Sequence, residues 1–257
     1  MPKAELFSEP PNLIETERPS SPEPLKLHIG CGHHKMNGYV NCDLHETDCT
    51  NEVFDCTSLW PFATNSVSTI YSSHTLEHLH NYEGFFKEAH RVLRPDGNMQ
   101  IRVPYGGHKA AYWDLTHVRP WYAESFCFLQ PGYAAAVGNV QHNEWTHCFS
   151  IEDCVLRVTD RLTPILQYSI MRKLLLPYID MLTNAVEEMW VYLAPLKTPQ
   201  QLTEWRAMHP GNSISARYST YRHHIERRTL GAHEVAEFVD WRKEQLWNGF
   251  HSWSTRK

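Results

Sequence analysis

Histidine is the side chain best suited to proton transfer near neutral pH and to holding soft divalent metals, and the 257-residue chain carries seventeen. Three stretches place histidine beside other reactive groups. The first is Asp114-Leu115-Thr116-His117-Val118-Arg119-Pro120-Trp121. It offers a base (His117), a carboxylate to orient it (Asp114) and a planar cation for a carboxylate or phosphate (Arg119) within six residues. The plainer reading is that Asp114 and Arg119 pair to hold a loop and Trp121 plugs a core. The second stretch, His74-Thr75-Leu76-Glu77-His78, has the H-x-x-E-H pattern of some zinc peptidases. That chemistry needs all five residues in one helix, whereas here they follow the end of a buried strand, so peptidase chemistry is disfavoured and Glu77 and His78 read as turn-packing residues. The third set is His108, Asp114, His117, His142 and His147, whose spacing permits a metal but matches no ligand signature. No bound metal is expected from it.

A fourth feature is the turn Gly30-Cys31-Gly32 after the alternating run Leu25-Lys26-Leu27-His28-Ile29. Glycines there let a ligand approach the backbone, and acids at the ends of the following strands hold ribose and base. A dinucleotide template wants its acid about 20 residues on and a third glycine. Asp43 comes too soon, Asp55 sits on the third strand rather than the second, and His34 stands where the third glycine would be, so a nicotinamide enzyme is disfavoured.

The elements that must position these residues follow from periodicity. Strands are expected at 25–29, 39–44, 53–54, 67–71 and 99–103. A helix is expected over 83–93, stopped by Arg94-Pro95-Asp96-Gly97. Two closing strands are read at 155–162 and 188–193, with an apolar segment at 171–182 between them. This rhythm is an α/β, Rossmann-like, doubly wound and mostly parallel seven-stranded sheet. The expected division is a flexible tail at 1–24 with six prolines, a domain at 25–197 whose stretch 104–150 is a substrate or lid region, and an α-helical extension at 198–257. The extension contains a helical pattern at 232–247 and suits packing or a homodimer interface.

Composition excludes several classes. With 42% hydrophobic residues and a mean hydropathy of -0.49, the chain is neither disordered throughout nor membrane-spanning. Residues 1–197 hold 15 Lys and Arg against 23 Asp and Glu, an acidic balance that argues against a nucleic-acid partner. Seven cysteines without a C-x-x-C pair, and no apolar leader in residues 1–24, point to free thiols in the cytoplasm.

Six motifs occur in order: Leu27-His28-Ile29-Gly30-Cys31-Gly32, Asn41-Cys42-Asp43-Leu44, Phe54-Asp55, Trp60-Pro61-Phe62-Ala63-Thr64-Asn65-Ser66-Val67, Ile70-Tyr71-Ser72-Ser73-His74-Thr75-Leu76-Glu77-His78-Leu79 and Arg91-Val92-Leu93-Arg94-Pro95-Asp96-Gly97. Together they resemble a class I S-adenosylmethionine-dependent methyltransferase, close to the type 11 group, over about residues 25–104 and more weakly to Pro195. The resemblance implies S-adenosylmethionine as cofactor and S-adenosylhomocysteine as product. It implies that Gly30, Cys31 and Gly32 line the methionine part, Asp43 with Leu44 holds the ribose end, Asp55 with Cys56 faces adenine, and Ser73 with His74 lies beneath the transferring methyl. His28 departs from the pattern by replacing an acid. The first helix is shortened to the span 31–38.

On this reading the acceptor is a small molecule, of sugar or natural-product type, methylated on O or N. His117 is the expected base with Asp114 orienting it, His74 is second choice, and Tyr105, His108, Arg119 and Trp121 are the expected acceptor contacts. The alternatives are a cofactor-binding scaffold without turnover, motivated by His28, and a metal-dependent enzyme using the His-rich 108–147 loop.

Overall fold

The computed structural model describes residues 24–136, 147–166 and 168–209. The tail up to residue 23, the helical pattern at 232–247 and His142 lie outside the described residues, and so does most of the extension proposed as a dimer interface.

Seven strands form one sheet: β1 (Leu25–Ile29), β2 (Val40–Asp43), β3 (Glu52–Val53), β4 (Val67–Ser73), β5 (Leu93–Pro104), β6 (Phe149–Val158) and β7 (Val186–Pro195). Their order is β3-β2-β1-β4-β5-β7-β6. β1 to β5 run parallel, and β7 is antiparallel to both β5 and β6. Strands inside a parallel sheet are covered on both faces, so they read as continuous buried runs. Leu27, His28 and Ile29 of β1 and Ile70, Tyr71 and Ser72 of β4 obey this.

The crossover from β4 to β5 is α1 (Tyr82–Val92). Its apolar face, Phe85, Phe86, Ala89 and Val92, is buried, and the Asn81 side chain caps its start by accepting from the Gly84 N–H at 3.0 Å. The expected stop at Arg94–Gly97 survives as a bulge. Val67 faces Leu93, but Thr69 faces Asn98, so the intervening residues loop out of register. No helix separates β1 from β2, as the short 31–38 span required.

Two expectations are corrected. The first closing strand is Phe149–Val158 rather than 155–162, because β7 pairs from Phe149↔Pro195 to Val158↔Val186 and Thr159 to Leu162 then turns. The 104–150 region is only partly a loop. After α2 (Ala110–Trp113) come α3 (Ala123–Cys127) and α4 (Tyr133–Ala136), and Trp121, Phe126, Cys127 and Leu129 are buried in the main core. Between β6 and β7 lie α5 (Thr163–Leu166), α6 (Ser169–Leu175) and a 3-10 turn at Leu176–Met181. Among the described residues, no helix is long and apolar enough to cross a membrane.

The extension opens with α7 (Pro199–Met208), started by a capping box in which Thr198 and Gln201 bond each other's backbone N–H groups. Trp205 is buried at 2% exposure. Lys197, just before α7, donates to the Asn65 side chain and to the carbonyls of Arg91 and Leu93. α7 is thereby fastened to the end of α1.

Candidate active site

In a doubly wound sheet the ligand crevice opens at the carboxyl ends of the strands where the winding reverses, here between β1 and β4. The first wall is the glycine turn. The Gly30 and Cys31 N–H groups both donate to the Cys42 carbonyl, at 2.9 and 3.0 Å. Gly30 has φ +74°, and a Cβ there would sit 2.0 Å from the Thr75 hydroxyl, so only glycine fits. Thr75 in turn donates to the Ile29 carbonyl. Gly32 differs: its φ is +50°, and a Cβ would meet nothing within 4 Å, because open space lies in front of it.

Asp43 closes β2 beside that space. Its Oδ2 accepts from the Gly32 N–H at 2.7 Å and its Oδ1 from the His45 N–H at 3.1 Å. A carboxylate oxygen has two acceptor positions, so each keeps one for a hydroxyl. Leu44 beside it is 58% exposed, a flat apolar surface at the rim. Open glycine backbone, a half-buried carboxylate with spare acceptor capacity and an exposed aliphatic face fit the ribose end of a nucleoside cofactor. Asp55 behaves otherwise. Both its oxygens accept from its own turn, from Thr57 and Ser58, and these bonds hold its carboxyl below the usual range. Burial pushes the neighbouring Cys56 thiol up to about 12, so it stays neutral.

The opposite wall is the end of β4. Ser73 is half-buried at the strand's last position, and His74 turns the chain with φ +53°, unusual for a residue with a side chain. His74 Nε2 lies 2.8 Å from Glu188 Oε1, and its Nδ1 lies 3.2 Å from Glu77 Oε1. Burial alone would lower the His74 pKa, but the bonds and charges of Glu188 and Glu77 outweigh it and raise it to about 10. Glu188 is held low by His74 and by the Trp190 N–H, which donates to its Oε2 at 2.6 Å, despite burial. His74 is thus an imidazolium with both nitrogens facing carboxylates. This corrects its second-choice role as a base, since no lone pair is left to take a proton.

The loop after β5 overhangs this wall. The Val118 N–H donates to the Glu77 carbonyl at 2.7 Å, and His78 Nδ1 meets the Thr116 hydroxyl at 2.9 Å. His117 packs edge-on against His78, ring centres 4.7 Å apart. Asp114 does not hydrogen-bond His117: its Oδ1 accepts from the Thr116 N–H and hydroxyl, and its Oδ2 stays 3.8 Å from His117 Nε2. Only 8% of the His117 side chain is exposed. The expected His117–Asp114 base pair is therefore not formed, because the short turn through Thr116 claims the carboxylate.

The expected acceptor contacts are likewise moved inward. Tyr105 and Trp121 bridge each other and are buried, with Trp121 against Phe126 and Tyr82. His108 is buried and bonds the Ala110 N–H, and Arg119 lies 4.1 Å over the Tyr82 ring. Residues 112–116 face outward on this loop, and Tyr112, Trp113 and Leu115 are the large apolar ones among them. His147 packs on His90 of α1. Among the described residues the 108–147 histidines form no joint ligand group.

Two features escape sequence reasoning. Glu188 follows Glu187 in a mostly apolar strand opposite Pro104, and its burial there is what the sequence did not announce. Asn184, at φ +61°, ties the segment before β7 to the overhanging loop by accepting from the Lys109 N–H and donating to the Gly107 carbonyl. His28, which stands in the place of an acid, is buried in β1. Its Nδ1 bonds Asn41 at 3.1 Å, its ring tilts against Tyr71, and burial lowers its pKa, so it is a neutral core residue.

The sheet order defines a doubly wound α/β protein whose crevice lies at the ends of β1 and β4. Residues 27–101 match a family model described as a methyltransferase domain, the stretch that carries the glycine turn, Asp43 and the β4 end. No curated protein matches the chain. Among solved structures it is similar to an S-adenosylmethionine-dependent methyltransferase from Mesorhizobium loti, at 14% identity over 66% of this chain and 89% of that one, TM-score 0.39. A second, from Archaeoglobus fulgidus, shares 15% identity over 66% and 85% of the two chains, TM-score 0.41.

Proposed function

We propose that the protein is a class I S-adenosylmethionine-dependent methyltransferase that moves the sulfonium methyl to an oxygen or nitrogen nucleophile of a small molecule, of sugar or natural-product type, entering beneath the loop after β5. The observation that carries this reading is the stitching of that loop to the β4 end, through Val118 to Glu77 and Thr116 to His78, directly beside Ser73 and His74. The exposed Tyr112, Trp113 and Leu115 of that loop would suit a compact acceptor with apolar or ring surface. The acidic balance of residues 1–197 speaks against a polyanionic acceptor. Seven free thiols suit a reducing, cytoplasmic setting.

The cofactor supplies an already activated methyl on a sulfonium. The chain's part is to bind, align and exclude water. Asp43 receives the ribose hydroxyls and Gly30, Cys31 and Gly32 give backbone access to the methionine end. Glu77 and Glu188 around one imidazolium leave a net negative charge that favours a cationic centre.

Calorimetry tests the cofactor half: the wild type binds S-adenosylmethionine, and Asp43→Ala weakens binding at least tenfold, because the ribose acceptors are gone. An unchanged affinity in Asp43→Ala would remove Asp43 from the site. Mass spectrometry of methylated products from a cell extract tests the acceptor half. Labelled methyl recovered only in protein or nucleic acid would overturn the small-molecule reading.

A further inference from the structure

The overhanging loop and the β4 turn share one more feature. Glu77, His78 and His117 each place one ligand-type atom within 4.8 Å of the other two, the one such group among the described residues. They come from two segments about forty residues apart, so their convergence belongs to the tertiary structure.

The hydrogen bonding around them leaves each a free donor pair. The Thr116 hydroxyl has one hydrogen, and it goes to Asp114 Oδ1 at 2.7 Å, so it must accept from His78 Nδ1–H at 2.9 Å. His117 Nδ1 faces the Ala111 carbonyl at 3.3 Å, an atom that can only accept. Both imidazoles therefore carry a proton on Nδ1, which leaves Nε2 as the nitrogen for a metal. Glu77 is held on one side by His74, while its side chain is 2% exposed and its Oε2 has no hydrogen-bond partner among the described residues. A carboxylate buried that deeply with an unused oxygen calls for a cation or a donor. Metal-binding histidines characteristically donate their second nitrogen to a carbonyl or carboxylate network, which is the arrangement here.

We infer that Glu77, His78 and His117 bind a divalent transition-metal ion of the zinc type, and that the ion clips the loop after β5 to the turn after β4. Two imidazole nitrogens select against magnesium and calcium, and water would complete a tetrahedral sphere around the three protein ligands. Around zinc the ligand atoms would stand about 3.4 Å apart, so binding draws the loop inward from the present spacing. The H-x-x-E-H residues thus contribute Glu77 and His78, with His117 replacing His74 as the partner. The site does not depend on the acceptor reading.

The test titrates Zn2+ alone into EDTA-stripped full-length protein by calorimetry, without cofactor. Expected are one equivalent bound at micromolar affinity or tighter and at least a hundredfold loss in His117→Gln. Zn2+ should also slow tryptic cleavage after the exposed Lys109 in the wild type and leave the variant's cleavage unchanged. Because Glu77→Gln alters a buried network, His78→Gln serves as the second variant, and circular dichroism of both confirms folding. Saturation not reached at millimolar Zn2+, or binding unchanged in both variants, overturns the site. Cofactor binding in the same samples, read separately, reports on the methyltransferase reading.

Discussion

Gly30 illustrates how one residue can carry both fold and site. Its positive φ and its contact with Thr75 leave no room for a side chain, so Gly30→Ala must displace Thr75 and break its bond to the Ile29 carbonyl. Left-handed strain and overpacking together should cost about 2–5 kcal/mol, read as a lower urea midpoint with loss of cofactor binding. Adding Thr75→Ala should recover the overpacking part and leave the strain. His74 is the opposite case, a side chain tolerated at φ +53° because Glu77 and Glu188 hold its ring from both sides. The glycine was legible from the G-x-G turn. The imidazolium was not, since Glu188 lies 114 positions away in the chain.

At the scale of elements, the local signals were strong wherever chemistry and periodicity agreed. β1 and α1 fall where alternation and the Phe85, Phe86, Ala89, Val92 spacing put them. β6 was displaced because its limits are set by the antiparallel register with β7, which no local pattern announces. The start of α7 depends on the reciprocal bonds of Thr198 and Gln201. Thr198→Ala should cost about 1 kcal/mol, seen as a lowered melting temperature, and Thr198→Ser should cost a few tenths at most. Equal losses in both variants would show that the cap is not the cause.

For the whole molecule, the histidines act on stability as well as chemistry. Burial, with Lys197 nearby, lowers the His90 pKa to about 4, and His147 packs against it. An unfolded histidine takes its proton near pH 6.5, so the unfolded chain binds more protons between about 6.5 and 4. Stability present above pH 6.5 is therefore lost as pH falls through that window. His28, His108 and His147 are lowered in the same direction and add to the loss, while His74, raised to about 10, adds stability at low pH that fades from pH 6.5 upward. His90→Gln should flatten the acid limb of a urea-midpoint profile by about 1–2 kcal/mol after allowance for partial exposure. An unchanged limb would mean that His90 is solvated.

The sequence by itself determined the parallel part of the sheet, the glycine turn, Asp43 at the end of β2 and the stretch that matches a methyltransferase domain, because these rest on short-range periodicity and contiguous motifs. The tertiary structure alone decided the rest. It turned Tyr105 and Trp121 into core, gave the Asp114 carboxylate to Thr116, paired His74 with Glu188 and brought His117 to Glu77 and His78. Apart from the local Asp114–Thr116 turn, those outcomes are contacts between segments distant in the chain, where the residue type permits several roles and only the packing selects one.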